Sequence, residues 1–191
     1  MVFNFQLGFN EVAVRAALEF SPQVRAIAMR QFAFALRAPD PELLDGGYRE
    51  DLYTILREFR VRFPSTGPDY LAFNLLPEDA YQVASRAAPG FIVTIETARD
   101  GLASLTPPNE FRDDHTNLVR YFDGTLAAQR AVLEAATAQD FGGLRDGMGR
   151  TKGVFCETAE GLSDEIKPVV SVQFGAPPGS PGLAGICGPG P

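Results

Sequence analysis

The chain has 191 residues, 45% of them hydrophobic and 21% charged. That is enough for one domain or two small ones around a sizeable core, and it excludes a globally disordered chain. The net charge is −7: residues 1–64 hold 8 basic and 8 acidic side chains, whereas residues 65–191 hold 9 and 16. The acidic balance disfavours nucleic-acid backbones and anionic lipid surfaces as partners. Only Lys152 and Lys167 could serve Schiff-base chemistry, because every other basic residue is Arg.

Residues 1–20 lack a basic segment followed by an apolar run, so no signal peptide is expected. No membrane span is expected either. The one long uncharged stretch, 168–191, is interrupted by Pro and Gly throughout and could not satisfy its backbone in lipid.

Near the N-terminus, Phe3, Phe5, Leu7 and Phe9 alternate with Asn4, Gln6, Gly8 and Asn10. A period of two predicts a strand over residues 1–9 with one apolar face. Asn10 caps an expected helix to about Phe20, and Ser21-Pro22 opens another to Arg37 that is apolar nearly all round. Gly46-Gly47 ends a short helical turn. The next helix is amphipathic, with Tyr48, Leu52, Ile55, Leu56, Phe59 and Phe63 on one face and a Glu58–Arg62 pair on the other. Residues 64–68 read as a loop, and 69–76 as a short helical connector.

A helix is expected over 77–88, interrupted by Pro89-Gly90. Residues 91–105 have strand-like composition at their start. However, Phe91, Ile95, Ala98, Leu102 and Leu105 keep helical spacing, which predicts helix. Pro107-Pro108-Asn109 opens what reads as the longest helix, to about Gln139, with the stripe Phe111, His115, Leu118, Phe122, Leu126 and Leu133. Asp140 caps a return helix carrying Phe141, Leu144, Met148, Phe155, Ala159, Leu162 and Ile166 on one face. The short turn predicts a long antiparallel hairpin over 107–167. The return helix is rich in glycine, each interior one costing about 1 kcal/mol relative to Ala. The pairs Gly143–Gly147 and Gly149–Gly153 have the spacing for close backbone approach.

Pro168 is expected to end that helix. Val170, Val172 and Phe174 then alternate as one face of a second terminal strand, 168–175. In the tail, 176–191, Gly179, Gly182, Gly185 and Gly188 recur every third residue. This is a collagen-like Gly-X-Y pattern over four triplets, too short to hold a triple helix unaided, and otherwise an extended Pro/Gly tail.

The fold class expected is therefore mostly α. Its parts are an N-terminal strand (1–9), a helical subdomain (10–76), a helical bundle with the hairpin (77–167), a C-terminal strand (168–175) and the tail.

Residues able to carry chemistry are few. His115 is the only histidine and the one weak metal candidate. It sits in the apolar stripe, with Glu110 and Asp114 directed elsewhere, so no metal site is expected. Cys156 and Cys187 are too few for a zinc site; they bond to each other, pair between chains or remain free. A Cys156–His115 contact is the one conceivable nucleophile–base pair. The carboxylate pairs Glu50/Asp51, Glu78/Asp79, Asp113/Asp114 and Asp164/Glu165 read as solvated faces. The glycine-rich 142–150 segment lacks the Gly-Lys-Ser/Thr ending of a phosphate loop. No cofactor is implied.

The function expected is a non-enzymatic structural, assembly or interaction protein. It would associate with a protein partner or itself through Phe3, Phe5, Leu7, Phe9, Val170, Val172 and Phe174 and through the tail. The alternative is a ligand- or metal-binding bundle centred on His115 and the Phe-rich core.

Overall fold

The computed structural model describes residues 46–62, 77–174 and 187. The expected strand over 1–9, the expected helices up to residue 45, the loop at 64–68, the connector at 69–76 and the Gly-X-Y tail apart from Cys187 lie outside them. The described body is α-helical, with no strand in it.

Helix α1, Tyr48–Arg62, follows Gly46 and Gly47, whose φ angles of 74° and 84° are in the left-handed region that suits glycine. It buries Leu52, Tyr53, Leu56, Phe59 and Arg60. These recur at three and four residues, the spacing of one helix face. Glu58 and Arg62, both more than half exposed, pair across 3.8 Å, where such a pair contributes little.

Helix α2, Pro77–Ala103, runs 27 residues and continues through Pro89, so the expected interruption there does not occur. Pro89 deprives the Ser85 carbonyl of its helical donor, but both residues face solvent, where water can serve that carbonyl. The opposite face is continuously buried: Ala84, Ala87, Ala88, Phe91, Ile95, Ala98 and Leu102. Each large side chain buried there contributes about 1.5–3 kcal/mol, enough together to outweigh the roughly 3 kcal/mol penalty of an interior proline.

A 3-10 turn, Asn109–Phe111, leads into α3, Arg112–Thr137, 26 residues long. The hairpin turn follows. The Asp140 amide donates to the Ala135 carbonyl at 2.9 Å, while Gln139 holds φ 56° at the position where glycine is usual. Asp140 then caps α4, Phe141–Gly161, its carboxylate accepting from the Gly143 amide at 3.0 Å as the sequence leads one to expect.

Of the two expected pairs, Gly143–Gly147 is the one that approaches α3: a Cβ on Gly143 would lie 3.2 Å from Ala135 Cβ, and the approach is tightest at Gly147. A Cβ there would lie 2.8 Å from Val132 Cγ2 and 3.2 Å from the Val132 amide nitrogen. Across the same seam, a Cβ on Gly124 of α3 would lie 2.9 Å from Val154, a contact the glycine spacing of α4 alone could not reveal. Gly149 and Gly153 face open space.

The hairpin also ends earlier than its sequence suggests. Leu162 is extended, residues 164–166 turn, and Lys167–Phe174 forms a fifth helix, α5, in place of the expected strand at 168–175. Pro168 opens this helix rather than ending the one before, a place that tolerates the missing N–H. Ile166, Val169, Val170 and Gln173 keep three- and four-residue spacing and are all buried. A lone strand would leave its backbone unpaired in this interior, whereas a helix satisfies its own. Val170, Val172 and Phe174 are thus core residues, not an exposed edge.

Helix α3 lies between α2 and α4, while α1 rests on α2 and α5. The main core gathers Leu52, Phe59, Ile95, Phe122, Ala159, Ile166 and Phe174 from all five helices and the joint before α5. A smaller one near the hairpin turn consists mostly of Ala84, Ala88, Ala135 and Ala136, with Leu144 and Met148. No helix among the described residues is long and apolar enough to cross a membrane.

Candidate functional site

The two ends of α3 are built differently. At its start, Asp114 is buried and its carboxylate accepts from the Ser163 amide at 2.8 Å and from the Ser163 hydroxyl at 2.7 Å. This clasps α3 to the turn between α4 and α5. The expectation of solvated carboxylates holds for the exposed Glu50, Asp51, Asp113, Asp164 and Glu165 but fails for Asp114. The stripe Phe111–Leu118–Phe122 conceals a second one, Phe111, Asp114, Leu118, Tyr121, Thr125, that also follows helical spacing. Asp114→Ala is expected to lower the unfolding free energy by about 2–3 kcal/mol, since two hydrogen bonds to a buried carboxylate are lost. Urea denaturation at pH 7 measures it; an unchanged midpoint would contradict the clasp.

His115 lies beside this joint. It does not face the middle of the core; it is half-buried and turned toward α1. Its Nδ1 stands 3.2 Å from the Tyr48 hydroxyl, with ring centroids 5.9 Å apart. Burial holds the imidazole below its ordinary value. The Tyr48 phenol is pushed up to about 12, first by burial and then by the nearby Asp114 charge. Among the described residues no group of three His, Cys, Asp or Glu side chains could hold a metal.

Cys156 is bonded to Cys187, with Cα atoms 5.5 Å apart. The sulfur is therefore committed to a disulfide, and the nucleophile–base pair with His115 does not form.

Sequence reasoning missed a third arrangement. Tyr121, Thr125 and Gln129 follow one another at four-residue intervals on α3 and are all buried. Gln129 Nε2 donates to Thr151 Oγ1 of α4 at 3.4 Å, and Thr151 donates to the Gly147 carbonyl at 3.3 Å. Gln173 Nε2 of α5 donates to the Tyr121 hydroxyl at 2.7 Å. Arg60 of α1 is also enclosed, 5% exposed. Burial lowers its guanidinium to about 10, and the neighbouring Tyr121 counteracts part of that. Polar residues of four helices thus meet inside the array. Thr125 Oγ1, Gln129 Oε1 and Gln173 Oε1 are buried without a hydrogen-bond partner among the described residues.

Buried polar groups lacking partners are unfavourable by about 1–3 kcal/mol each, and removing the polar atom in place relieves that. Thr125→Val, nearly isosteric, is accordingly expected to leave stability unchanged or raise it by up to about 1 kcal/mol. A clear loss in thermal denaturation would show that the hydroxyl has a partner after all.

Among the described residues the seam contains amides, hydroxyls and one guanidinium. It can orient helices and offer hydrogen bonds. The fold and its joints define an all-α array closed by a disulfide. Comparison with protein-family models, curated proteins and solved structures yields no match. Function is therefore read from the geometry.

Proposed function

We propose that the chain is a non-enzymatic assembly or interaction protein whose helical body carries associating terminal segments. The observation that carries this reading is the use of its reactive side chains. Asp114 joins α3 to Ser163, His115 meets Tyr48, and Cys156 is bonded to Cys187. Each links one part of the chain to another instead of facing a cleft.

The body itself offers little for a partner. Val93, 61% exposed, is the sole large apolar side chain at the surface among the described residues. Association is better assigned to the alternating segment Phe3, Phe5, Leu7 and Phe9 and to the Gly-X-Y tail. No strand occurs among the described residues to pair with that segment, so a second copy or another protein would complete its ladder. The disulfide favours an oxidising compartment.

Sedimentation velocity tests the reading on three proteins: the full chain, a chain lacking residues 1–9, and a Cys156→Ser chain lacking residues 176–191. The serine is needed because the last deletion removes Cys187. A full-length assembly that either deletion weakens supports the proposal. Monomers in all three cases would end it.

A second reading, a bundle that binds a small polar molecule, is favoured by one observation: the unpartnered oxygens of Thr125, Gln129 and Gln173. It places the ligand in the seam rather than at His115. A native mass spectrum showing only the mass of the oxidised chain would rule out a retained ligand.

A further inference from the structure

We propose that Tyr48 and His115 form an acid-sensitive latch that fixes the start of α1 against the first turn of α3. The inference is independent of what the terminal segments bind.

The geometry begins one residue earlier. Gly46 and Gly47 both hold left-handed backbone angles, and a Cβ on either would meet nothing within 4 Å. The chain thus enters α1 through a side-chain-free pivot. Tyr48 is the first anchored residue beyond it. Its ring stacks on Phe111 with centroids 5.9 Å apart, and its hydroxyl reaches His115 Nδ1 at 3.2 Å. In the neutral imidazole with hydrogen on Nε2, Tyr48 donates to Nδ1. Protonation places a hydrogen on Nδ1. The phenol must then reverse and accept, and its own hydrogen loses this acceptor.

The surroundings oppose an imidazolium. His115 is half-buried in the first turn of α3, where free helical N–H groups present positive charge. From α1, the Arg49 guanidinium lies 5.0 Å from the Phe111 ring centroid. Arg112, one turn before His115, is exposed and bonded to Asn109. The anions nearby are engaged or solvated. Asp114, held by Ser163, keeps a charge that the Tyr48 phenol feels and that favours an imidazolium, but burial is the larger effect at His115; Glu110 and Asp113 are exposed. On α2, Arg99 and Asp100 bind each other, with Asp123 of α3 also near Arg99. Beyond α4, Asp164 binds Lys167, and Glu165 is exposed. Burial accordingly holds His115 below the ordinary imidazole value.

The sign of the effect follows. At a pH above about 6.5 both the closed and the opened forms carry neutral His115, and the latch is indifferent to pH. Below that, an opened form takes up a proton that the closed form resists until the pH reaches its lower value. Acid therefore favours opening, by a factor of about three for each half unit of lowering.

The single histidine makes the test clean, since one imidazole Cε1–H signal reports it. The experiment follows that signal by NMR from pH 4.5 to 8 in the full chain. It also compares amide exchange in residues 51–56, whose amides are bonded within α1, with that in 141–161 at pH 5.5 and 7.5, corrected for intrinsic rates. A midpoint below 6.5 and a several-fold rise in opening of residues 51–56 at pH 5.5 are expected, with the rise absent in His115→Gln. In Tyr48→Phe the midpoint moves up toward 6.5, because the bond to the neutral ring is lost. A wild-type midpoint at or above 6.5 overturns the latch, as does an equal acid response in His115→Gln. Should His115→Gln fail to fold, the wild-type midpoint and the Tyr48→Phe shift still decide.

Discussion

Phe122→Ala is expected to lower the unfolding free energy by about 3–5 kcal/mol. Phe122 is fully buried on α3. Its ring meets Phe59 of α1 edge-on at 4.8 Å, and Tyr121 borders it at 5.0 Å. Truncation removes this packing and leaves a cavity between helices that are themselves held by Ile95, Leu102 and Ile166 in the same cluster. The surrounding side chains are too constrained to fill it. Phe122→Leu should recover more than half of the loss, since it restores most of the volume. Chemical denaturation at pH 7 measures both. A loss under about 1 kcal/mol for the alanine variant would mean that α1 does not pack on α3 in solution.

Cys156→Ser is expected to lower stability by about 3 kcal/mol, within the 2–4 kcal/mol typical of such bonds. The Cys156–Cys187 bond spans 31 residues, and the chain it encloses includes all of α5. Opening it restores freedom to the unfolded chain and lets α5 leave with fewer constraints. Wild-type protein treated with a dithiol reductant should match the serine variant, and the variant itself should be insensitive to the reductant. If reduction leaves the wild-type midpoint unmoved, the crosslink is not formed in the folded protein.

The hairpin was legible in the sequence because its signals agree with one another. Phe111, Leu118, Phe122 and Leu126 repeat at helical spacing, Asp140 provides a cap, and Leu144, Met148, Ala159 and Leu162 answer on the return. All of these apolar residues are buried. The disagreements arise where local preference opposes the neighbours. Pro89 reads as a break, yet the apolar face continues on both sides of it and holds α2 together. Val169 to Phe174 alternates like a strand and is rich in β-branched residues, but Ile166, Val169, Val170 and Gln173 also fit a helix. Packing against α1 selects the helix. Two periods were present in the same letters, and only the tertiary surroundings could choose.

The candidate joints were harder to read. Polarity alone assigns Asp114, Gln129 and Gln173 to the surface, because such residues are seldom enclosed. Their partners, Ser163, Thr151 and Tyr121, lie 49, 22 and 52 residues away. Nothing local announces such pairings. His115 was visible as the lone histidine, but its partner Tyr48 is 67 residues distant. Cys156 and Cys187 were visible as a pair, whereas the choice among bonding to each other, bonding between chains or remaining free required their proximity in the fold.

The position of the disulfide has a mechanical consequence. Tension applied to the chain beyond Cys187 passes through the sulfur bridge directly into α4 and bypasses residues 157–186. Helix α5 and the Asp114–Ser163 clasp are thereby removed from the load path. A pulling experiment from that end should leave roughly 100 Å of contour length hidden, given about 3.3–3.6 Å per residue over the bridged segment, until a reductant cuts the bridge. The bond thus acts as a shackle set into the glycine-rich helix, and force reaching it from the tail is borne by the α3–α4 hairpin.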